Sequence, residues 1–320
     1  MASGFRRILV ALLLAPSLAT AQAFPSRPVR IVVPYPAGGI VDLMARSMSD
    51  ALAARLGQPV LVEPRPGADG SIGTDAVAKA EPDGHTLLMA TLALAVNPHL
   101  SKLPWHPVHD FAGVAHVGVV ANIAAVTPSL GAKEMKSLVA LARSRPGQIN
   151  YVNPGNGSSP HVSAELLQQV NDIKLTAINY KGVPPAIPDF LNGTVPFGFF
   201  PFGTIAAHIR SGKAQAIGIA SPVRHKQFPD LPTLAEQGFA SSQVNSWYAI
   251  AAPKKTPAAV VERLNNEINA LLGEEATIAR IDKIGGTVIA GWSAQATTRM
   301  IAEEYARWAE VARKAGLEAK

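Results

Sequence analysis

Apolar segments of strand length alternate with amphipathic segments of helical length along most of this chain. The first predicted strand covers residues 29–34, and the first predicted helix covers residues 41–56, where apolar side chains recur near helical spacing. Strands at residues 60–63 and 86–90, with a short helix at residues 71–80 between them, continue the alternation. This order of elements is typical of a mostly parallel sheet covered by helices, so the sequence predicts an α/β fold.

An apolar run at residues 117–126 separates this unit from a second one. The second unit is predicted to contain helices at residues 137–143, 164–170 and 186–191 and strands at residues 149–152, 175–178, 195–199 and 214–220. Another apolar run, residues 245–252, precedes two long C-terminal helices. The first is expected to begin with Thr256 as N-cap and Pro257 in its first turn, and the second near Ser293.

The order of these elements predicts how the chain is divided. Since no predicted strand follows the two C-terminal helices, they are expected to pack back on the first unit. The chain would then cross between the units twice, near residues 120–127 and 245–252. This predicts two doubly wound domains joined by two crossover segments: domain I from residues 24–122 plus 253–320, and domain II from residues 123–252. A ligand commonly binds in the cleft between such domains, which close by a hinge motion.

The N-terminus has the layout of a secretory signal peptide. Arg6 and Arg7 precede an apolar run at residues 8–15, and small residues suit cleavage after about Ala23. The run is too short to span a bilayer, and no second apolar span follows it. Removal of residues 1–23 leaves 297 residues, a length at which chains usually form more than one domain. We therefore expect a soluble protein of the periplasm.

Composition narrows the classes of function. The chain has no cysteine, which excludes disulfides, a thiol nucleophile and a cysteine-based metal site. Its net charge is +6, but charged residues make up only 16% and the basic ones are scattered, so no nucleic-acid partner is expected. His99, His106 and His109 cluster, but their proline-broken spacing matches no familiar ligand set. No metal and no cofactor are predicted.

The segment PYPAGGIVD, residues 34–42, joins the first predicted strand to the first predicted helix. Its prolines favour extended backbone, and the two glycines permit close approach of a ligand to unpaired amides at the helix start. Those amides and the helix dipole would suit a carboxylate or a similar anion. A plain turn, in which Asp42 stabilises the helix start, explains the same residues equally well.

A second segment, residues 151–167, repeats the order of strand, glycine-rich turn and helix. Ser159 is the expected N-cap with Pro160 at the first helical position, and Gly157, Ser158 and Ser159 would offer donors to an anion. His161 could contact the ligand or bond to its own loop. One such anion-binding loop in each domain indicates a ligand with acceptor groups at both ends.

Motifs of catalysis are weak in this sequence. It has no G-x-S-x-G elbow, no H-E-x-x-H and no Walker loop. Ser158 and His161 lie three residues apart at a predicted helix start, which leaves an exported hydrolase as an alternative, although no third group is evident to orient the histidine.

Several segments together resemble one known family. They are RPVRIVVPYPAGGIVDLMAR, EPRPGADGSIGTDAVAKAEPDGHTLLMAT, NPGNGSSPHVSAELL, NYKG and WYAIAAPKKTPAAVVERLN, and they span essentially the whole mature chain in order. They resemble the Bug family, the TctC-like solute-binding receptors of tripartite tricarboxylate transporters. The resemblance implies a type II periplasmic-binding-protein fold that captures small carboxylates for a separate membrane permease. The implied ligand-binding residues are Tyr35, Pro36, Ala37, Gly38, Gly39, Asp42, Thr91, Gly157, Ser158, Ser159, His161, Tyr180 and Phe200.

One departure from the family pattern bears on the ligand. Family members often carry an acidic residue after the strand that corresponds to residues 195–199, where this chain has Phe200. The change removes a partner for a ligand amine and adds apolar surface. It predicts a carboxylate without an amine, with an aromatic or otherwise apolar body. Alternatively, Phe200 packs into the domain core and does not meet the ligand.

The sequence thus predicts a periplasmic receptor that is not an enzyme. It would act as a monomer, close on a small carboxylate and deliver it to the membrane permease subunits of a tripartite tricarboxylate transporter. The alternatives are the hydrolase and a receptor that signals to a sensor protein, which needs the same closure on a ligand.

Overall fold

A computed structural model describes residues 24–244 and 246–314 of the chain. The predicted signal peptide, residues 1–23, lies outside the described residues. Among the helices of the described part, none is long and apolar enough to cross a membrane.

Helices and strands alternate from the start of the described chain. In order, the elements are β1 Val29–Val33, α1 Ile40–Leu56, β2 Val60–Pro64, α2 Ser71–Ala78, β3 Thr86–Thr91, α3 Leu92–Leu100, β4 Phe111–Val120, β5 Asn122–Val126, α4 Met135–Ser144, β6 Asn150–Asn153, α5 Ser159–Asn171, β7 Thr176–Asn179, α6 Ile187–Leu191, β8 Phe197–Pro201, α7 Phe202–Arg210, β9 Gln215–Ala220, β10 Ser246–Pro253, α8 Ala258–Leu272, α9 Glu275–Lys283, β11 Gly286–Val288 and α10 Ala294–Lys314.

The strands form two mixed sheets. The six-stranded sheet has the order β11-β4-β10-β3-β1-β2, and the five-stranded sheet has the order β7-β6-β8-β5-β9. In the first sheet β1 runs parallel to β2 and β3, while β10 runs antiparallel to β3 and β4. In the second, β6 runs parallel to β7 and β8, and β5 runs antiparallel to β8 and β9. The sheets define two α/β domains, as predicted.

The chain passes between the sheets twice. The first passage is at Ala121, between β4 and β5, and the carbonyl of Ala121 accepts a hydrogen bond of 2.9 Å from the amide of Phe202. The second lies between β9 and β10. Strand β10 pairs with β3 and β4 of the first sheet, so residues 246–252 belong to that sheet. Their assignment to domain II was wrong, because an apolar run does not reveal which sheet it enters.

The two C-terminal helices pack on the first domain, which confirms the prediction. The Asn265 side chain on α8 donates a hydrogen bond of 2.7 Å to the carbonyl of Val114, and the Thr298 hydroxyl on α10 accepts one of 2.9 Å from the amide of Gly113. Helix α8 begins at Ala258 with Pro257 at its N-cap position and no side-chain cap. The expected Thr256 cap is therefore absent.

Several elements were not predicted from the sequence. They are α3, α7, α9 and β11, together with β4, β5 and β10, of which the sequence showed only apolar runs at residues 117–126 and 245–252. Helix α3 contains Pro98, and the proline-rich segment that follows it obscured its helical spacing. Strand β11 has only three residues and is stabilised by its pairing with β4. No local sequence pattern predicts that pairing.

His116 on β4 is a buried titratable group in the first domain. It is 4% exposed, and its ring centroid lies 5.0 Å from that of Trp292. Burial lowers the pKa of His116 from 6.5 to about 4. Between these values the unfolded chain binds a proton here and the folded chain does not, so stability falls as pH falls from 6.5 towards 4.

We therefore expect His116→Phe to flatten the acid side of the stability curve. The shift corresponds to a loss of roughly 3 kcal/mol in the free energy of unfolding of the parent protein between pH 6.5 and pH 4. Urea unfolding at intervals over this range measures it. The two proteins differ only at position 116, so the difference between the two curves isolates His116. Parallel curves would contradict the assignment.

Candidate ligand-binding site

A cavity lies between the two domains, where the loops after β1 and β6 face each other. The cavity volume is about 60 Å³, several times the roughly 10–15 Å³ that one water needs. Domain I contributes Tyr35, Pro36, Gly39, Ile40, Val41, Thr91, Leu92, Ser246 and Tyr248, and domain II contributes Pro154, Ser158, Ser159, Pro160, Gly182, Val183, Pro184 and Pro201.

The loop after β1 brings the start of α1 to the cavity. Gly38 has φ 77°, a conformation that favours glycine, and Gly39 occupies the N-cap position. The first bond of the helix runs from the amide of Leu43 to the carbonyl of Gly39, 3.0 Å. The amides of Ile40 and Val41 are therefore outside the helical pattern, and both residues line the cavity.

Asp42 supports this loop from behind and does not line the cavity. It is 2% exposed, and its Oδ2 accepts hydrogen bonds from the amide of Gly38 at 3.0 Å and from Nε of Arg46 at 2.9 Å. Ala37 and Gly38 are exposed on the outer side of the loop. Of the predicted loop residues, Tyr35, Pro36 and Gly39 reach the cavity, while Asp42 holds the helix start.

The loop after β6 brings the start of α5 to the opposite side. Ser158 is the N-cap: its Oγ accepts from the amide of His161 at 3.4 Å and donates to the carbonyl of Gly155 at 2.6 Å. The expected cap, Ser159, is one residue inside the helix. Its hydroxyl accepts a hydrogen bond of 2.9 Å from the side-chain amide of the buried Asn122. Both serines line the cavity.

His161 bonds to its own loop. Its Nδ1 accepts a hydrogen bond of 3.3 Å from the amide of Gly157, and the side chain is buried away from the cavity. Burial lowers its pKa, so the ring is neutral at pH 7. Ser158 points its hydroxyl hydrogen at the carbonyl of Gly155, not at His161. This geometry does not form the serine–histidine pair that a hydrolase needs.

Gly157 makes a contact between the domains and does not line the cavity. It has φ 72°, and a Cβ there would overlap the Asn97 side chain of α3. A glycine is therefore required for the loop after β6 to approach domain I so closely. Its predicted role as an amide donor to the ligand is not what its position supports.

Two of the predicted cleft residues are tyrosines with different surroundings. Tyr35 lines the cavity beside Thr91, and burial, reinforced by the Asp69 carboxylate, raises its pKa to about 12. Tyr180 lies outside the cavity, at the mouth of the cleft that Tyr35 also lines. Its hydroxyl donates a hydrogen bond of 2.7 Å to Oδ2 of Asp189. Burial and that carboxylate raise its pKa to about 12. Both phenols are neutral donors at pH 7.

Phe200 lies in the core, so its prediction as a ligand-binding residue was wrong. Its side chain is 0% exposed, and its ring centroid is 4.6 Å from that of Phe190. A Cβ at Gly198 would meet the Phe200 ring at 2.8 Å, so the ring lies over this glycine. Strand β8 is interior to the second sheet, and only its last residue, Pro201, reaches the cavity.

Sequence reasoning missed the contribution of β10. Ser246 and Tyr248 line the cavity from the same face of this strand, and their hydroxyls are 3.0 Å apart. Burial raises the pKa of Tyr248, which keeps it protonated. Two polar residues spaced i, i+2 in an otherwise apolar strand were the available signal. Most of the proline contacts of domain II were also missed.

The described residues that line the cavity include no arginine, lysine, aspartate or glutamate. The polar groups are hydroxyls and the backbone amides at two helix starts, and much of the remaining wall is proline and aliphatic side chains. Helix N-termini bind anions through these amides and the helix dipole. The arrangement suits an anion with an apolar body.

Comparisons with known sequences agree on one family. The sequence model described as "Tripartite tricarboxylate transporter family receptor" matches residues 44–317. "Protein BugT" of Bordetella pertussis is 36% identical over 304 residues, which cover 94% of this chain and 93% of the relative.

Solved structures show the same fold. "Structure of periplasmic binding protein BugD" has a TM-score of 0.88 at 32% identity and covers 93% of this chain and 100% of that one. R. palustris Rpa4515 with adipate has a TM-score of 0.88 at 31% identity, with coverage of 93% and 100%. MatC from Rhodopseudomonas palustris with bound malate has a TM-score of 0.84 at 29% identity, with coverage of 90% and 99%. The predicted family and fold are confirmed: the chain belongs to the Bug (TctC) family of receptors of tripartite tricarboxylate transporters and has the two-domain fold of periplasmic binding proteins.

Proposed function

We propose that this chain is a periplasmic receptor that closes on a small carboxylate with an apolar body and no amine. It then delivers the ligand, as a monomer, to the membrane permease of a tripartite tricarboxylate transporter. The observation that carries the proposal is the meeting of two helix starts, one from each domain, at one uncharged cavity.

The two helix starts favour a ligand with a carboxylate at each end. The amides of Ile40 and Val41 at α1 and of Ser159 at α5 lie outside the helical patterns, and all three residues line the cavity. A dicarboxylate that bridges them binds only the closed arrangement, because the helices belong to opposite domains. Ligand binding would thereby raise the closed population.

The body of the ligand is argued from the rest of the wall. This part of the wall is apolar and includes Pro36, Leu92, Pro154, Pro160, Val183, Pro184 and Pro201. An aspartate or glutamate ligand would bring an ammonium group, whose burial is costly without an acidic partner, and the described lining residues supply none. The proposal that the ligand carries no amine is thus supported by the uncharged cavity wall and not by Phe200. An aliphatic dicarboxylate or an aromatic carboxylate fits.

Relatives support this ligand class. The structural neighbours with adipate and with bound malate hold dicarboxylates without an amine. Periplasmic location is supported by the predicted signal peptide and by the periplasmic neighbours. A non-enzymatic role is supported by the geometry of Ser158 and His161, whose side chains bond to their own loop.

A ligand screen tests the proposal. Thermal unfolding of residues 24–320 is measured with adipate, malate, benzoate and aspartate in turn, followed by calorimetric titration of each hit. A ligand at a hundred times its Kd should stabilise the protein by about 2.7 kcal/mol. We expect stabilisation by adipate and none by aspartate. Tight binding of aspartate would contradict the no-amine proposal, and no binding by any carboxylate would contradict the ligand class.

A further inference from the structure

Two loops of opposite domains meet at the mouth of the cleft through one carboxylate. Oδ1 of Asp69, in the loop after β2, accepts a hydrogen bond of 3.1 Å from the amide of Asn156, in the loop after β6. Oδ2 of Asp69 accepts another of 3.0 Å from Nδ2 of the same asparagine. Because the partners belong to different domains, both bonds break when the cleft opens.

Each partner is held in position by its own domain. The backbone carbonyl of Asp69 accepts a hydrogen bond of 3.0 Å from Nδ2 of Asn97 on α3. Oδ1 of Asn156 accepts a hydrogen bond of 3.0 Å from Nδ2 of Asn153, and the same Nδ2 donates another of 2.9 Å to Oδ1 of Asn179. Because these bonds already order the two loops, less conformational entropy is lost when the loops bind each other.

The backbone indicates that the Asp69 side chain is there for this contact. Asp69 has φ 54° and follows Ala68 with φ 45°, whereas non-glycine residues seldom adopt positive φ. Aspartate is among the residues that tolerate positive φ, but glycine would satisfy the same turn with less strain, and both oxygens of the Asp69 carboxylate bond to Asn156.

We infer that Asp69 and Asn156 form an interdomain latch that stabilises the closed form through bonds independent of the ligand. Its effect on ligand retention rests on the proposed function. The latch lies beside the cavity rather than in its wall, and it joins two protein groups. It therefore slows opening, and with it ligand dissociation, whatever carboxylate is bound.

The substitution Asp69→Gly separates the latch from folding. It relieves the positive φ, which offsets the greater entropy of glycine in the unfolded chain, so the melting temperature without ligand should change little. We expect the Kd for adipate to rise about tenfold, mainly through faster dissociation in stopped-flow measurements, because charge-assisted hydrogen bonds are lost. Asp172→Gly is the matched control: it removes the same charge at φ 49° from an exposed position at the end of α5, and should leave adipate dissociation unchanged.

A double-mutant cycle with Asn156→Ala tests the pair itself. Asp69→Gly should accelerate dissociation less in the Asn156→Ala background than in the parent, because one bond is already lost. Equal effects in both backgrounds, or no effect of Asp69→Gly, would overturn the latch.

Failure of the latch can be told apart from failure of the proposed function. The chain has no native cysteine, so spin labels can be placed at cysteines introduced at the exposed positions Ala54 on α1 and Val170 on α5. Asp69→Gly should change the distribution of distances between the labels in buffer alone, towards that of an opened cleft. An unchanged distribution overturns the latch, while failure of every carboxylate in the screen to bind the parent contradicts only the proposed function.

Discussion

The substitution Gly39→Val is expected to weaken adipate binding about 100-fold, which corresponds to about 2.8 kcal/mol at 1.4 kcal/mol per tenfold change. A Cβ at Gly39 would lie 3.3 Å from the carbonyl oxygen of Pro36 and 3.9 Å from the ring of Pro184 in the other domain. The valine methyl groups would therefore enter the cavity and keep a carboxylate from the amides of α1. Calorimetric titration measures the loss.

The backbone of Gly39 lets this effect be separated from misfolding. Gly39 has φ −76° and ψ 167°, an extended conformation that valine adopts readily. We expect a loss of about 1 kcal/mol or less in stability, since valine is a poorer N-cap than glycine. Gly273→Val is the matched control, because Gly273 has φ −81° at the end of α8, outside the cavity wall. Unchanged adipate affinity in a folded Gly39→Val protein would contradict the site assignment.

The substitution Phe200→Ala is expected to have the opposite profile. Removal of a fully buried ring that packs on Phe190 should lower the free energy of unfolding by about 3–5 kcal/mol. Adipate affinity should change by no more than a few-fold in the folded protein, because the side chain does not reach the cavity. Urea unfolding and calorimetric titration of the same preparation measure both quantities. Phe200→Leu, a smaller truncation, should shift stability in the same direction.

Tyr248→Phe provides the matched comparison for Phe200→Ala. It removes only a hydroxyl that lines the cavity and bonds to Ser246. We expect a change in stability of about 1 kcal/mol and a larger loss of affinity than in Phe200→Ala. If Phe200→Ala instead lost binding and kept its stability, the placement of Phe200 in the core would be contradicted.

Much of the fold could be predicted from the sequence because its signals are local. Helix α1 was expected at residues 41–56 and is observed at Ile40–Leu56, since the apolar stripe and the glycines before it both act within a few residues. The segment of strand β10 was recognised only as an apolar run at residues 245–252, and neither its strand conformation nor its sheet was predicted. Its position between β3 and β4 depends on pairing with residues more than a hundred positions away.

The candidate site divides in the same way. The two glycine-rich loops were found because proline and glycine before a helix start are local signals of a strand-to-helix turn, whose free amides could hold an anion. Which side of each loop faces the ligand could not be found. Asp42 and His161 turn back to hold their own loops, and Gly157 faces Asn97, since packing against the neighbouring elements selects the orientation.

Local backbone chemistry in the sequence thus determined where helices α1 and α5 begin and that both starts could hold an anion. The tertiary structure decided that these starts meet at one cavity, that β10 supplies Ser246 and Tyr248 to it, and that Phe200 does not reach it. The physical reason is range. Turns and caps depend on dihedral angles and hydrogen bonds within a few residues, whereas the cavity wall depends on which strands pair and how two domains pack.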